Sequence, residues 1–193
     1  MARVSQAQAQ ENRERVVETA ARLFRERGVQ GVSVADLMGA AGLTHGGFYK
    51  SFASKEALVA EAAGKAFAAS GGLMAARDEA SAGDHRAARR EFLDYYLSPA
   101  HRDDAGNGCP TTAFGPDVAR EPTESAVRET YAHGVEHFAE WMGDDGEDLA
   151  AVATMVGALM LSRATAGTGL SERILDAARR ALYSEDPPIS EKE

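Results

Sequence analysis

Apolar and charged positions recur with a helical period along the chain. In residues 11–27 the apolar side chains return every three or four positions, charged side chains lie between them, and Gly28 follows as a helix stop. Further helices are predicted over residues 34–41, 44–52 and about 57–76. The pattern therefore predicts a compact N-terminal head of three helices, followed by a long fourth helix.

The rest of the chain follows the same helical period, and no strand pattern competes with it. The predicted helices cover residues 85–98, 110–120, 122–142, 147–167 and 171–183. Turns or loops are predicted at residues 103–108 and 143–146. We therefore expect an all-α fold of about nine helices. Its predicted parts are a head at 1–55, a helical ligand-binding and dimerisation domain at 56–186, and a flexible tail at 187–193.

Composition narrows the class of protein. No apolar run approaches the length of about 18 residues that spans a bilayer, and residues 1–12 are polar, without the apolar stretch of a secretory signal. We therefore expect a cytoplasmic protein without a membrane partner. The single cysteine, Cys109, has no second thiol for an intrachain disulfide or a paired zinc or redox site. The fold must then rest on packing, and no metal or cofactor is predicted.

Charge is distributed unevenly along the chain. The formal net charge is −9, yet the residues up to Lys55 carry eight basic and five acidic side chains, and the remainder carries an excess of twelve acidic ones. Phosphate neutralisation is local, so a basic head on an acidic body suits a DNA-binding domain joined to a domain of another function.

The short helix at residues 34–41, the turn at Gly42 and the helix at 44–52 have the arrangement of a helix-turn-helix. Helix pairs of this kind also occur in enzymes. A more specific resemblance is carried by residues 20–24 (AARLF), Gly28, 34–38 (VADLM), 41–52 (AGLTHGGFYKSF) and 54–58 (SKEAL). Together these stretches resemble the head of the TetR family of repressors over about the first 60 residues. The resemblance implies a homodimeric, non-enzymatic repressor that binds a palindromic operator in double-stranded DNA and is released by a small-molecule inducer.

The resemblance and the local chemistry predict the DNA contacts. Hydroxyl, imidazole and ammonium groups at the start and on the outside of the third helix are able to donate to phosphates or base edges, and a glycine allows close approach. The predicted DNA-binding residues are Ser33, Thr44, His45, Gly46, Tyr49, Lys50 and Lys55. Phe48 and Phe52 are assigned to the core. The family commonly has histidine where Ser51 stands, which puts a phosphate contact there in doubt.

Aromatic side chains in the body supply the surface of a pocket for an apolar or aromatic inducer. The predicted ligand-binding residues are Phe67, Tyr95, Tyr96, Cys109, Phe114, Tyr131, Phe138 and Trp141. Residues 108–116, rich in small side chains, resemble the start of a helix that lies over the inducer cavity in one TetR subgroup. Plain core packing is the alternative for each aromatic residue.

Two features leave a different class of protein open. Cys109 at a helix start suits either a thiol sensor or a small buried side chain. His133 and His137 share a helix face in an H-x-x-E-H string, which also occurs in one class of metallopeptidase, but no third ligand is evident. The alternative is therefore a small helical metal- or thiol-dependent enzyme.

Residues 149–161 are nearly all apolar, although too few to span a membrane. With Ile174, Leu175, Ala178 and Leu182 they suit a two-helix contribution from each subunit to a dimer interface. A helix buried within a monomer is the alternative.

Overall fold

The computed structural model of the chain describes residues 6–185, which form ten α-helices, one 3₁₀ turn and the loops between them, with no strand. The helices are α1 (Gln6–Arg27), α2 (Val34–Ala40), α3 (Phe48–Ser51), α4 (Lys55–Ala80), α5 (His85–Tyr96), α6 (Pro99–Asp103), α7 (Pro110–Val118), α8 (Ala126–Met142), α9 (Leu149–Ala164) and α10 (Gly169–Glu185), and the 3₁₀ turn is His45–Gly47. The all-α prediction is confirmed. The predicted tail at 187–193 lies outside the described residues. Within the described part of the chain, no helix combines the length and the apolar character needed to cross a membrane.

The signals at the ends of α2 are those that the sequence predicts. Ser33 precedes the helix, its hydroxyl oxygen accepts the Asp36 N–H at 3.1 Å, and the Asp36 carboxylate accepts the Ser33 N–H at 3.0 Å. At the other end Gly42 has a φ of +70°, a left-handed conformation that glycine adopts at little cost. The Leu43 N–H then donates to the Met38 carbonyl at 2.8 Å, and this bond closes the turn of the helix-turn-helix.

The third predicted helix is shorter and more tightly wound at its start than expected. Residues 45–47 form a 3₁₀ turn, with the Gly47 N–H donating to the Thr44 carbonyl at 2.9 Å, and the α-helical part is limited to Phe48–Ser51. Two adjacent glycines explain the difference, because each disfavours an α-helical turn by about 1 kcal/mol relative to alanine.

The short helix α6 is an addition to the predicted set. The prediction extended the preceding helix to residue 98, whereas α5 ends at Tyr96. Pro99 opens α6, and the Ser98 hydroxyl oxygen accepts the His101 N–H at 3.2 Å. A proline disfavours helical geometry in the residue before it and is well placed in the first turn of the next helix, so the chain restarts at this point.

The described residues divide into two compact units, 6–73 with 105–137 and 74–104 with 138–185. The core of the first unit is built by all of its helices; it includes Leu23 and Phe24 of α1, Leu37 of α2, Phe48 of α3, Leu58 of α4, Phe114 of α7 and Val127 of α8, and also Phe52. The predicted core positions of Phe48 and Phe52 are thus confirmed. The functional limits at residues 55 and 186 remain a prediction.

The core of the second unit contains both aromatic and aliphatic side chains. The largest fully buried side chains in it are Tyr96, Leu97, Met142, Met155, Leu159 and Leu175. Helix α9 buries Val152, Met155 and Leu159 on one side, while Met160 and Leu161 remain exposed. The apolar run of α9 therefore exceeds what its own unit covers.

Candidate functional sites

In the segment from Thr44 to Phe52, buried side chains lie directly next to exposed ones. Phe48 is 0% exposed, whereas the neighbouring Tyr49 is 68% exposed and packs its ring edge-on against Phe48, with centroids 5.1 Å apart. Thr44, His45, Gly46 and Lys50 are exposed as well. The core thus anchors the segment through its phenylalanines and leaves a polar outer surface, which we call the recognition surface.

Contacts within residues 6–185 do not account for two residues of the recognition surface, Thr44 and Gly46. Thr44 precedes the 3₁₀ turn, but its side chain makes no capping hydrogen bond within the described residues. A Cβ added to Gly46 would meet no described atom within 4 Å, so packing within the chain does not require glycine there. Both features suit a surface that closely approaches another molecule.

Ser33 and Lys55 already have partners within the chain. The Ser33 hydroxyl donates to the Asp36 carboxylate at 2.6 Å, and these hydrogen bonds from Ser33 hold the pKa of Asp36 below its usual value. The Lys55 Nζ donates to the Val29 carbonyl at 2.7 Å and lies 5.9 Å from the centre of the Phe24 ring. Both residues therefore stabilise the head, and their predicted phosphate contacts remain predictions.

Four predicted ligand residues lie in the first unit. The rings of Phe67 and Tyr131 meet edge to face with centroids 5.8 Å apart, and the Tyr131 hydroxyl donates to the Thr111 carbonyl at 2.7 Å. Phe114 is fully buried, and Cys109 is buried at the start of α7. Burial, with a smaller contribution from Cys109, raises the pKa of Tyr131 to about 12.

The packing of α8 in this cluster depends on a glycine. A Cβ added to Gly134 would clash with the Phe67 ring, so this close approach excludes any larger residue unless the ring moves. The cluster is therefore tightly built on that side.

The other four predicted ligand residues lie in the second unit. Phe92 is the centre of this cluster, with ring centroids 5.0 Å from Trp141, 5.7 Å from Tyr96 and 5.8 Å from Phe138. Tyr95 is more exposed, and the Arg77 guanidinium lies 4.8 Å from its ring centre. Of the eight predicted ligand residues, four thus belong to each unit.

His101 is a member of the second cluster that the sequence did not indicate. Its Nδ1 lies 2.8 Å from the Tyr96 carbonyl oxygen, and its ring stacks on Tyr95 with centroids 5.0 Å apart. Burial lowers the pKa of this histidine. It stands in α6, which was not predicted, so no periodicity pointed to it.

Asp117 and Arg25 were also missed, and they connect α7 with the end of α1 inside the first unit. The Asp117 carboxylate accepts the Val29 N–H at 2.8 Å, and Arg25 donates to the Gly108 carbonyl at 3.2 Å. These pairs are separated by 88 and 83 residues in sequence, so no local pattern could indicate them.

The groups that favoured an enzyme do not assemble into a metal site. His133 and His137 are exposed on α8. Among residues 6–185, no three His, Cys, Asp or Glu side chains are placed to hold a metal ion. Cys109 is buried and forms no disulfide.

Large apolar side chains are also exposed on α9 and α10. They are Leu149, Met160, Leu161 and Leu170. All of them are at least 44% exposed, and several exposed apolar side chains on one helix pair suit an interaction site. We call this set the α9–α10 surface.

Comparison with known proteins gives one family. A model described as bacterial regulatory proteins of the tetR family matches residues 16–62. The HTH-type transcriptional regulator AcrR of Shigella flexneri is 39% identical over 61 residues, which are 32% of this chain. The chain spans only 28% of the length of that relative.

Solved structures match over most of the chain. A TetR transcriptional regulator from Chloroflexus aurantiacus is 27% identical, with a TM-score of 0.70 over 92% of this chain and 95% of that one. The reduced form of NemR from E. coli has a TM-score of 0.71 at 20% identity, covering 90% of this chain and 96% of that one. The second match is a likeness of fold alone.

Proposed function

We propose that this chain is a member of the TetR family of bacterial regulatory proteins and acts as a homodimeric repressor, which binds a palindromic operator and is released by a small-molecule inducer. The observation that carries the proposal is the recognition surface, in which a polar outer face is fixed to the core by Phe48 and Phe52. This surface falls within the residues that the family model matches.

DNA recognition follows from the chemistry of that surface. Thr44 and His45 at the start of the segment offer a hydroxyl and an imidazole to phosphates or base edges, and Gly46 allows close approach of the backbone. Tyr49 and Lys50 project a hydroxyl and a positive charge from the outside of α3. Ser33 and Lys55 would contribute phosphate contacts only in addition to their bonds within the head.

Dimerisation is supported by the α9–α10 surface. Exposed leucine and methionine side chains on a helix pair are costly in water and suit burial against the same surface of a second copy. A twofold dimer would present two recognition surfaces to two half-sites about 34–36 Å apart, which matches a palindromic operator.

Inducer control is supported by the position of α7. The start of α7 contacts the Phe67–Tyr131 cluster through the Thr111 carbonyl, and near its end Asp117 holds the Val29 N–H after α1. An apolar or aromatic molecule that displaces α7 would therefore disturb the head. Such coupling is reciprocal, so operator DNA would weaken inducer binding by the same factor.

The family and the described residues favour this proposal over an enzyme. The matching model describes regulatory proteins, and the two histidines of α8 gain no third ligand within the described residues. We further infer that the protein acts in the cytoplasm, where operator DNA is present.

The test is a gel-shift titration against DNA from upstream of the coding sequence, with excess competitor DNA at physiological salt. Wild type is compared with Tyr49→Ala, which removes a largely exposed side chain and should leave the protein folded. Lys65→Ala on α4 is the matched surface control. We expect tight, palindrome-dependent binding that Tyr49→Ala weakens by more than tenfold and Lys65→Ala leaves unchanged. Equal affinity for operator and competitor would refute the regulator proposal.

A further inference from the structure

We propose that the first unit contains a second small-molecule site, distinct from the aromatic clusters, which binds a small apolar amine. A cavity of about 400 Å³ lies among the loop after α1, the first turns of α4 and the turn before α8. None of the eight predicted ligand residues lines it. Its volume is at the lower end of the range for ligand pockets, which suits one ring with a short chain and not a peptide.

The walls of this cavity are largely apolar. Val29, Val59 and Val127 contribute buried side chains, one from each of the three segments. Ala57 and Pro122 add further apolar surface at the lining. An occupant with an apolar body would therefore be shielded from water on several sides.

One residue of the lining carries a polar atom that lacks a partner within the described part of the chain. The Ser125 Oγ is buried and has no hydrogen-bond partner among the described residues. An unpaired buried hydroxyl is unfavourable, so a rotation of the Ser125 side chain towards the cavity would let a ligand group pair with it and would favour binding. Ser125 immediately precedes α8, on the same turn as Glu121.

The charged residues around the cavity indicate which polar group a bound molecule would carry. Three charged residues line it, Glu56, Glu121 and Lys55. The Lys55 ammonium donates to the Val29 carbonyl, and Glu56 accepts from Ser54 and from its own backbone, which lowers its pKa. Glu121 shares the α7–α8 turn with the Ser125 hydroxyl. An ammonium group would donate to both the carboxylate and the hydroxyl oxygen, which favours an amine over a carboxylate.

The test uses isothermal titration of the full-length protein with 2-phenylethylamine and with 2-phenylethanol, its neutral counterpart. We expect the amine to bind more tightly than the alcohol. Glu121→Gln should weaken amine binding about fivefold and leave alcohol binding unchanged, because the interaction of a partly exposed ion pair is worth up to about 1 kcal/mol. Glu124→Gln on the same turn lies outside the lining and is the matched control.

Two further variants locate the site. Ser125→Ala should weaken binding of both molecules about fivefold, and Ala57→Leu, which fills the cavity, should abolish it. Phe67→Ala removes a side chain of the aromatic cluster and should leave binding unchanged. Thermal unfolding of each variant confirms that it folds. Binding that survives Ala57→Leu, that is lost in Phe67→Ala, or that favours the alcohol would overturn the proposal, as would the absence of binding by wild type.

Discussion

The recognition surface and the α9–α10 surface are both exposed, but they differ in the kind of group that they present. The recognition surface exposes hydroxyl, imidazole and ammonium groups and keeps Phe48 and Phe52 inside. The α9–α10 surface exposes leucine and methionine side chains, of which Leu161 is 52% exposed. The first therefore suits a hydrated, charged partner such as DNA, and the second suits an apolar partner such as a second copy of the chain.

The two surfaces also differ in whether the polarity of a side chain matches its exposure. In α3 a buried residue and an exposed one are neighbours, and each has the side chain that its environment favours. In α9 apolar side chains stand on both the buried and the exposed side. Exposed polar side chains suit contact with water or nucleic acid, whereas a patch of exposed apolar side chains indicates an interface with another protein surface.

The largest expected effect tests how the recognition surface is anchored. Phe48→Ala should lower the free energy of unfolding by about 3–5 kcal/mol, because it opens a cavity in the core of the first unit. Tyr49→Ala, one residue on, should lower it by about 1 kcal/mol at most, because only an exposed ring contact with Phe48 is lost. Urea denaturation followed by circular dichroism measures both. Similar losses for the two variants would mean that the separation of buried and exposed faces is wrong.

The next effect tests the α9–α10 surface. Met160→Glu should convert the proposed dimer to a monomer, because a buried carboxylate without a partner costs several kcal/mol at an interface. Operator affinity should then fall about a hundredfold, since the two heads no longer bind as one unit. Sedimentation velocity and gel shifts give the two readouts.

Leu73→Glu on α4 is the control for that experiment, since Leu73 is also exposed and apolar but lies outside the α9–α10 surface. It should leave the oligomeric state unchanged. A dimer that persists in Met160→Glu would place the interface elsewhere.

Features set by neighbouring residues could be predicted from the sequence. The helical period located α1, α2, α4, α7 and α9, and the Ser33–Asp36 cap and the turn at Gly42 follow from side-chain and backbone chemistry within a few residues. The exposed face of α3 was predicted for the same reason, since Phe48 and Phe52 are one helical turn apart and leave Tyr49 on the other side.

Features set by distant residues could not be predicted. The ring contacts of Phe67 with Tyr131 and of Phe92 with Phe138 join residues that are far apart in sequence, and no local pattern encodes them. Asp117 acts through a backbone N–H that is 88 residues away. The 3₁₀ turn and α6 were missed for a different reason, because glycine pairs and a Ser-Pro step alter short helices without changing the apolar period.

A smaller effect concerns charge on the recognition surface. Lys50→Ala should weaken operator binding about tenfold and reduce the slope of log affinity against log salt concentration by about 1, because the predicted phosphate contact would be lost. Lys65→Ala, in which the lost lysine pairs with Glu18 at 3.1 Å, should leave the slope unchanged. Fluorescence anisotropy over a series of salt concentrations measures both. An unchanged slope in Lys50→Ala would remove this lysine from the DNA contacts.

The smallest effect concerns the Phe67–Tyr131 cluster, which unlike both surfaces is partly buried. It is a change in stability that depends on pH. Tyr131→Phe should lower the free energy of unfolding by about 1 kcal/mol at pH 7, because the hydrogen bond to the Thr111 carbonyl is lost. Burial raises the pKa of Tyr131 to about 12, above its usual value of 10.0, so folding favours the neutral phenol. The stability that Tyr131 contributes is therefore complete below pH 10 and is lost as the pH rises towards 12.

The difference between wild type and Tyr131→Phe in the free energy of unfolding, measured by urea denaturation, should then shrink from pH 7 to pH 11. Tyr183, whose pKa burial also raises to about 12, is present in both proteins and cancels. A difference that stays constant with pH would mean that the Tyr131 hydroxyl is not buried against α7.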